Sequence, residues 1–275
     1  MHGLGVGGMP GGMGGGFGGG GMNYGSVDPN RRVEHPGDAC ATEDPELKPL
    51  ISEMQINVRH GFVRKVFGII AVQLAVTAMI AAPFLIYQDQ MRMKIAEFGP
   101  LFVMISLMPV LLMCWSFCDP SVTREYPKNY IFLSVFTACF GVMVGVACSQ
   151  FRSASVLMVA ALTGAVVFSL MLFALQTRYD FTGMGPYLFC GVMCMCFTGF
   201  ILSFMPASRM VEVVYAGLGA LMFSVYIVYD TQMIVGGKHY KCQFCMDDYC
   251  FAALTLYLDI VQLFLHLLRI FGDRQ

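Results

Sequence analysis

The chain has 275 residues, of which 57% are hydrophobic and only 13% charged, with a mean hydropathy of +0.65. A soluble domain carries about a quarter charged residues, so this composition excludes an ordinary soluble protein and requires an integral membrane protein. The formal net charge of −1 supplies no excess of cations to neutralise a run of phosphates, which excludes nucleic acid as a partner.

In chain order, residues 1–55 form a different material from the rest. Met1 to Gly25 is mostly glycine with scattered methionine, and Asp28 to Pro49 is polar and proline-containing. Such a segment buries too little apolar surface to offset its ordering entropy, which predicts a disordered cytosolic tail. It lacks the basic and apolar regions of a secretory signal. A docking surface for partner proteins is the alternative use.

Residues 56–275 read as a membrane domain. Apolar runs of about 20 residues, the length that crosses about 30 Å of hydrocarbon as a helix, recur at 67–86, 98–118, 129–149, 155–175, 186–205, 213–235 and 251–271. The expected fold is therefore all-α, a seven-transmembrane helical bundle with antiparallel neighbours joined by short loops. Gly141 and Gly145, and again Ala160 and Gly164, have the four-residue spacing that lets helix backbones approach closely. Cys114, Cys118, Cys139, Cys148, Cys190, Cys194 and Cys196 lie in apolar runs and read as small core hydrophobes.

Basic residues near span ends set orientation. Arg59, Arg64, Lys65, Arg124, Lys128, Arg178, Lys238 and Lys241 fall on one side; Arg92, Lys94, Arg152, Arg209, Arg269 and Arg274 fall on the other. The bias favours a cytosolic N-terminus and a cytosolic loop 236–250. Seven crossings put the C-terminus on the far side, whereas a re-entrant last segment would return it.

Two acidic residues interrupt the apolar runs. Asp230 lies about 8 Å before the end of the sixth span and Asp259 about 12 Å into the seventh, at 1.5 Å per residue. An ionisable group in hydrocarbon costs several kcal/mol and marks a functional site with a partner nearby. Thr255, Asp259, Gln262 and His266 follow 4-3-4 spacing, one polar stripe down a single side of the last helix. That stripe requires protein or water opposite it, so this helix is expected to be central. Carboxylates in contact cannot both ionise cheaply and would share a proton; deprotonated, they are hard oxygen ligands suited to calcium. The plainer role is a helix-to-helix hydrogen bond. His239, Cys242, Cys245 and Cys250 crowd one loop, but their irregular spacing reads as free thiols in preference to a zinc site. Arg269 reads as a snorkelling anchor.

The stretch Tyr229-Asp230-Thr231-Gln232-Met233-Ile234-Val235-Gly236-Gly237-Lys238-His239-Tyr240 resembles the signature of the transmembrane Bax-inhibitor-motif family, and in particular its lifeguard branch. So does Ala252 to Leu265, and Val63-Arg64-Lys65-Val66-Phe67 with Val72 to Thr77 is similar to that branch's first span. The likeness covers about residue 50 to the end. It implies seven helices with the last in the middle. It also implies a pH-sensitive calcium leak through an internal membrane (endoplasmic reticulum, Golgi or other endomembrane, with the plasma membrane as the alternative) and restraint of stress-induced cell death. It implies further that Asp230 and Asp259 form the proton-sensing pair that gates the pore, and that a basic residue near the end of the second span latches them; Arg124 is the candidate for that latch. The expected associates are the lipid bilayer, calcium, protons and cell-death regulatory proteins, with no tightly bound cofactor.

Other readings compete. A non-conducting scaffold would regulate cell death through the tail and loops. An intramembrane aspartyl protease would need Gly-x-Gly-Asp around its second aspartate, where this chain has Leu256-Tyr257-Leu258-Asp259, so no enzyme is expected. A seven-helix receptor requires the opposite orientation.

Overall fold

The structure is a computed structural model, and the residues described are 47–119, 121–204, 208–236, 244 and 248–274. Among them the chain is helical with no β-strand. The helices are α1 (Leu47–Ile86), α2 (Gln88–Glu97), α3 (Gly99–Cys118), α4 (Ser121–Arg124), α5 (Lys128–Cys148), α6 (Ser153–Gln176), α7 (Gly185–Phe204), α8 (Arg209–Val235) and α9 (Tyr249–Phe271). Seven of them, all but α2 and α4, are long and apolar enough to cross a membrane. The expected seven-helix bundle is thus observed. The helix of the first span starts at Leu47, far upstream of its apolar onset at Phe67, because the polar stretch before the hydrocarbon continues the same helix. Of the segment 1–55 read above as a disordered tail, residues 1–46 lie outside the described residues, and residues 47–55 are instead the first turns of α1.

Burial ranks the helices. Of the apolar stretch of α9, 61% is buried, against 6% for α7, so α9 is the central helix and α7 a peripheral one. Phe189, Phe197, Phe200 and Phe204 of α7 are exposed, as lipid-facing groups are. Two apolar clusters flank α9. In one, Phe62, Val66 and Ile70 of α1 meet Ile227 and Ile234 of α8 and Ala252, Leu256 and Leu263 of α9. In the other, Phe132, Phe136 and Phe140 of α5 pack with Leu254, Tyr257 and Val261 of α9. Buried hydrogen bonds interlock the same helices: Gln73 Nε2 donates to Thr137 Oγ1 at 3.0 Å, and the Thr77 and Tyr257 hydroxyls lie 2.7 Å apart.

The two small-residue pairs differ in use. Gly141 and Gly145 face α1, where a Cβ on Gly145 would come 2.5 Å from Phe84 Cδ2 and one on Gly141 3.2 Å from Ile80. A Cβ on Gly164 would meet nothing within 4 Å. Gly145→Leu is therefore expected to force α1 away from α5 and cost about 1–3 kcal/mol of stability by overpacking, while Gly164→Leu is near neutral. Thermal unfolding in detergent checks this; equal melting temperatures for the two variants would refute a close α1–α5 contact.

One expectation needs correction. Of the seven cysteines read as core, only Cys148 is buried; Cys139 is intermediate, and Cys114, Cys118, Cys190, Cys194 and Cys196 are exposed on the outer faces of their helices. In a bilayer an apolar thiol is equally at home against lipid, so hydropathy does not separate the two places. The last segment, α9, runs unbroken for 23 residues, about 34 Å, long enough to cross a membrane. The residues after it fold onto the face opposite the α8–α9 loop. There Arg152 N–H donates to Asp273 O at 2.9 Å, Arg152 pairs with Asp273 at 3.2 Å, and Arg274 pairs with Glu212 at 3.0 Å.

Candidate functional site

The last two turns of α8 carry Tyr229-Asp230-Thr231-Gln232. Ile227, Asp230, Thr231 and Ile234 recur at helical spacing and form one buried stripe against α9. On α9 the facing stripe is Ala252, Leu256, Asp259, Leu263 and His266, also at alternating four and three. Apolar neighbours above and below thus aim both carboxyls inward. Asp230 is 4% exposed and Asp259 7%. The two carboxyl groups lie within electrostatic reach of each other, and the Thr255 hydroxyl, which donates to Ala252 O at 3.2 Å in its own helix, lies beside Asp230. An ionised carboxylate only accepts, so two carboxyls hydrogen-bond to one another only with a proton between them. Asp259 Oδ2 is buried without a protein partner, and the Tyr226 phenol lies within electrostatic reach of both groups.

The remaining predicted residues separate. Thr255 lies beside Asp230. Gln262 turns instead to a cavity of about 260 Å³ that it lines with Met143, Ala147, Phe151, Leu265, Leu268 and Arg269. His266 is buried against α8, its ring 5.5 Å from that of Phe223 and 5.7 Å from that of Tyr215, with Nδ1 unpartnered. A helix stripe about 60° wide faces more than one neighbour, which is why one spacing pattern serves three surroundings. Arg269 is exposed, its guanidinium 6.0 Å from the Tyr215 ring. Arg124 meets the start of α9. Its Nε donates to Asp248 Oδ1 at 2.6 Å, and Asp248 precedes Asp259 by eleven residues, about 16 Å along the helix. His239, Cys242 and Cys245 lie outside the described residues, as do Lys238 and Lys241; Cys250 is buried at the start of α9. Among the described residues, no three His, Cys, Asp or Glu side chains are grouped to hold a metal ion.

Three residues that the sequence left without a role frame the site. Gln232 Oε1 accepts from Phe181 N–H at 2.8 Å, and its Nε2 donates to Tyr179 O at 3.0 Å, tying α8 to the α6–α7 connection. Gly236 ends α8 at φ 62°, ψ −172°, a region open almost only to glycine. Arg59 of α1 reaches the carbonyls at the α8 terminus. One signal pointed to such a donor: α8 has no basic residue in its own last turn, so its terminal carbonyls need one from elsewhere. Gly236→Ala is expected to destabilise by about 1–3 kcal/mol through backbone strain, read as a lower melting temperature in detergent; an unchanged value would show that the turn relaxes without cost.

The profile of the family described as "Inhibitor of apoptosis-promoting Bax1" matches residues 59–275. Protein LIFEGUARD 3 of Arabidopsis thaliana is 33% identical over 232 residues, covering 82% of this chain and 89% of that protein. Protein LIFEGUARD 4 of the same plant is 35% identical over 223 residues, covering 78% and 85%. Protein lifeguard 3 of Homo sapiens is 32% identical over 224 residues, covering 79% and 70%. With a match across the whole membrane domain and relatives aligned over most of both lengths, the chain belongs to the family of inhibitors of apoptosis-promoting Bax1.

Proposed function

We propose that this integral membrane protein restrains cell death by conducting a calcium leak that the Asp230–Asp259 pair gates through its shared proton. The observation that carries the reading is the burial of two carboxyls on facing stripes of adjacent helices, within electrostatic reach of each other. With the proton in place the pair holds α8 to α9. Without it, two negative charges face each other in a medium of low dielectric, and their repulsion drives the helices apart. The separated carboxylates then offer a passing divalent cation its ligands. Calcium enters as cargo and not as a resident ion, since the pair with Thr255 falls short of the about six to eight oxygens of a calcium cage. Family membership supports the link to cell death. The basic residues on the Arg59 side support a cytosolic N-terminus, and an endomembrane is the location that fits a leak.

Purified protein in liposomes with a trapped calcium dye, followed over a pH series, tests the reading. A flux that depends on pH and on both aspartates supports it. No flux at any pH, together with protection from death that survives replacement of both aspartates, would replace it with a non-conducting scaffold acting through partners.

A further inference from the structure

We propose that Arg59 is a positioning residue for the aspartate pair: reaching from α1, it grips the end of α8 and so sets the depth and rotation of Asp230 against Asp259. The inference rests on the gating role proposed above, but its structural part can be read without any flux.

The hydrogen bonds at the end of α8 account for the grip. A helix leaves its last four carbonyls without intrahelical partners. Here Gln232 O accepts from Gly236 N–H at 2.9 Å, and Met233 O accepts from Phe244 N–H at 3.1 Å. Arg59 supplies the rest of the contact: Nη2 donates to Met233 O at 2.7 Å, Nε to Val235 O at 3.0 Å, and Nη1 to Phe244 O at 2.8 Å. One rigid fork therefore joins α1, the final turn of α8 and the linker that leaves it. The guanidinium also sits at the negative end of the α8 dipole, where α8 carries no cation of its own. Its side chain lies over the Phe62 ring at 4.9 Å, and Phe62 is buried in the cluster that contains Ile227 and Ile234. The fork is thus held by packing as well as by charge.

Other charged groups at this end act on different elements. Lys65 of α1 lies over the Tyr249 ring at 3.2 Å, Arg124 of α4 bonds Asp248, and Asn129 Nδ2 donates to the Tyr249 hydroxyl at 2.7 Å. Those three contacts hold the start of α9. Arg59 holds the end of α8. The hydrogen bonds at the two helix ends thus come from different side chains, and Met233 and Val235 lie within about 8 Å of Asp230 along the helix. A change in the Arg59 contact therefore acts first on the helix end that carries Asp230.

The test uses the full chain in liposomes, comparing Arg59→Ala, Arg59→Lys and the exposed-charge control Lys128→Ala with the unchanged protein. Two readouts are taken: calcium flux over a pH series, and amide hydrogen exchange of residues 228–236. The expected result for Arg59→Ala is at least a fivefold rise in flux at the pH where the pair is held, a displaced pH profile, and faster exchange confined to the α8 terminus. Arg59→Lys, a point charge without the planar fork, is expected to fall between, and Lys128→Ala to match the unchanged protein. Unaltered flux and exchange in Arg59→Ala overturn the proposal. If the unchanged protein conducts nothing, the gating reading fails first, and exchange alone decides the rest. Exchange at 228–236 that varies with pH in the unchanged protein and loses that variation in Arg59→Ala sustains Arg59 as the positioning group; exchange identical in both removes it.

Discussion

Asparagine at Asp230 or at Asp259 is expected to remove the pH response of the calcium leak while leaving the helices paired. An amide donates to the remaining carboxylate at every pH, so the contact no longer depends on a proton. A hydrogen bond to a charged group is worth about 1.5–3 kcal/mol, so a gate held by that contact changes its open population by about ten- to a hundredfold. The unchanged protein should leak least where the pair shares one proton and more at higher pH, where it is lost; either asparagine variant should stay near the lower level throughout. Alanine at Asp259 behaves differently. It leaves Asp230, 4% exposed, with its facing partner gone, and breaking a buried charged pair from one side costs about 3–5 kcal/mol. The alanine variant should therefore leak more and unfold at lower temperature than the asparagine variant. A pH profile in both asparagine variants that superimposes on the unchanged one would remove the pair as the gate.

The second large effect is expected at Tyr257. Its side chain is the largest fully buried one among the described residues, at 0% exposure. Its ring lies edge-on to Phe140 at 5.7 Å, and its hydroxyl is 2.7 Å from that of Thr77. It thus joins α9 to both α5 and α1. Tyr257→Ala would leave a cavity the size of an aromatic ring at the middle of the central helix and is expected to cost about 3–5 kcal/mol. Tyr257→Phe keeps the ring and removes one hydroxyl. Thr77 Oγ1 still donates to Gln73 O at 2.8 Å, so the phenylalanine variant should lose only about 0.5–1.5 kcal/mol. Chemical or thermal unfolding in detergent separates the two, and comparable losses would mean that the hydroxyl, not the packed ring, carries the contact.

Much of this protein follows from composition and spacing alone. Seven apolar runs required seven crossings, because a backbone in hydrocarbon must satisfy its own hydrogen bonds and a helix does so at about 20 residues per crossing. The cost of burying charge singled out Asp230 and Asp259, and the polar spacing on α9 put that helix at the centre. What spacing could not determine is which neighbour a residue faces. Lipid and protein interior are equally apolar, so buried Cys148 and exposed Cys194 read alike, and so did the glycines that touch α1 and the one that touches nothing. Gln262 and His266 share a stripe but meet different elements. Arg124 was assigned by order in the chain and bonds Asp248, while Arg59, 174 residues from Met233 in sequence, reaches the helix that bears Asp230. Long-range polar contacts depend on how helices are arranged around α9, and only the tertiary structure decides that arrangement.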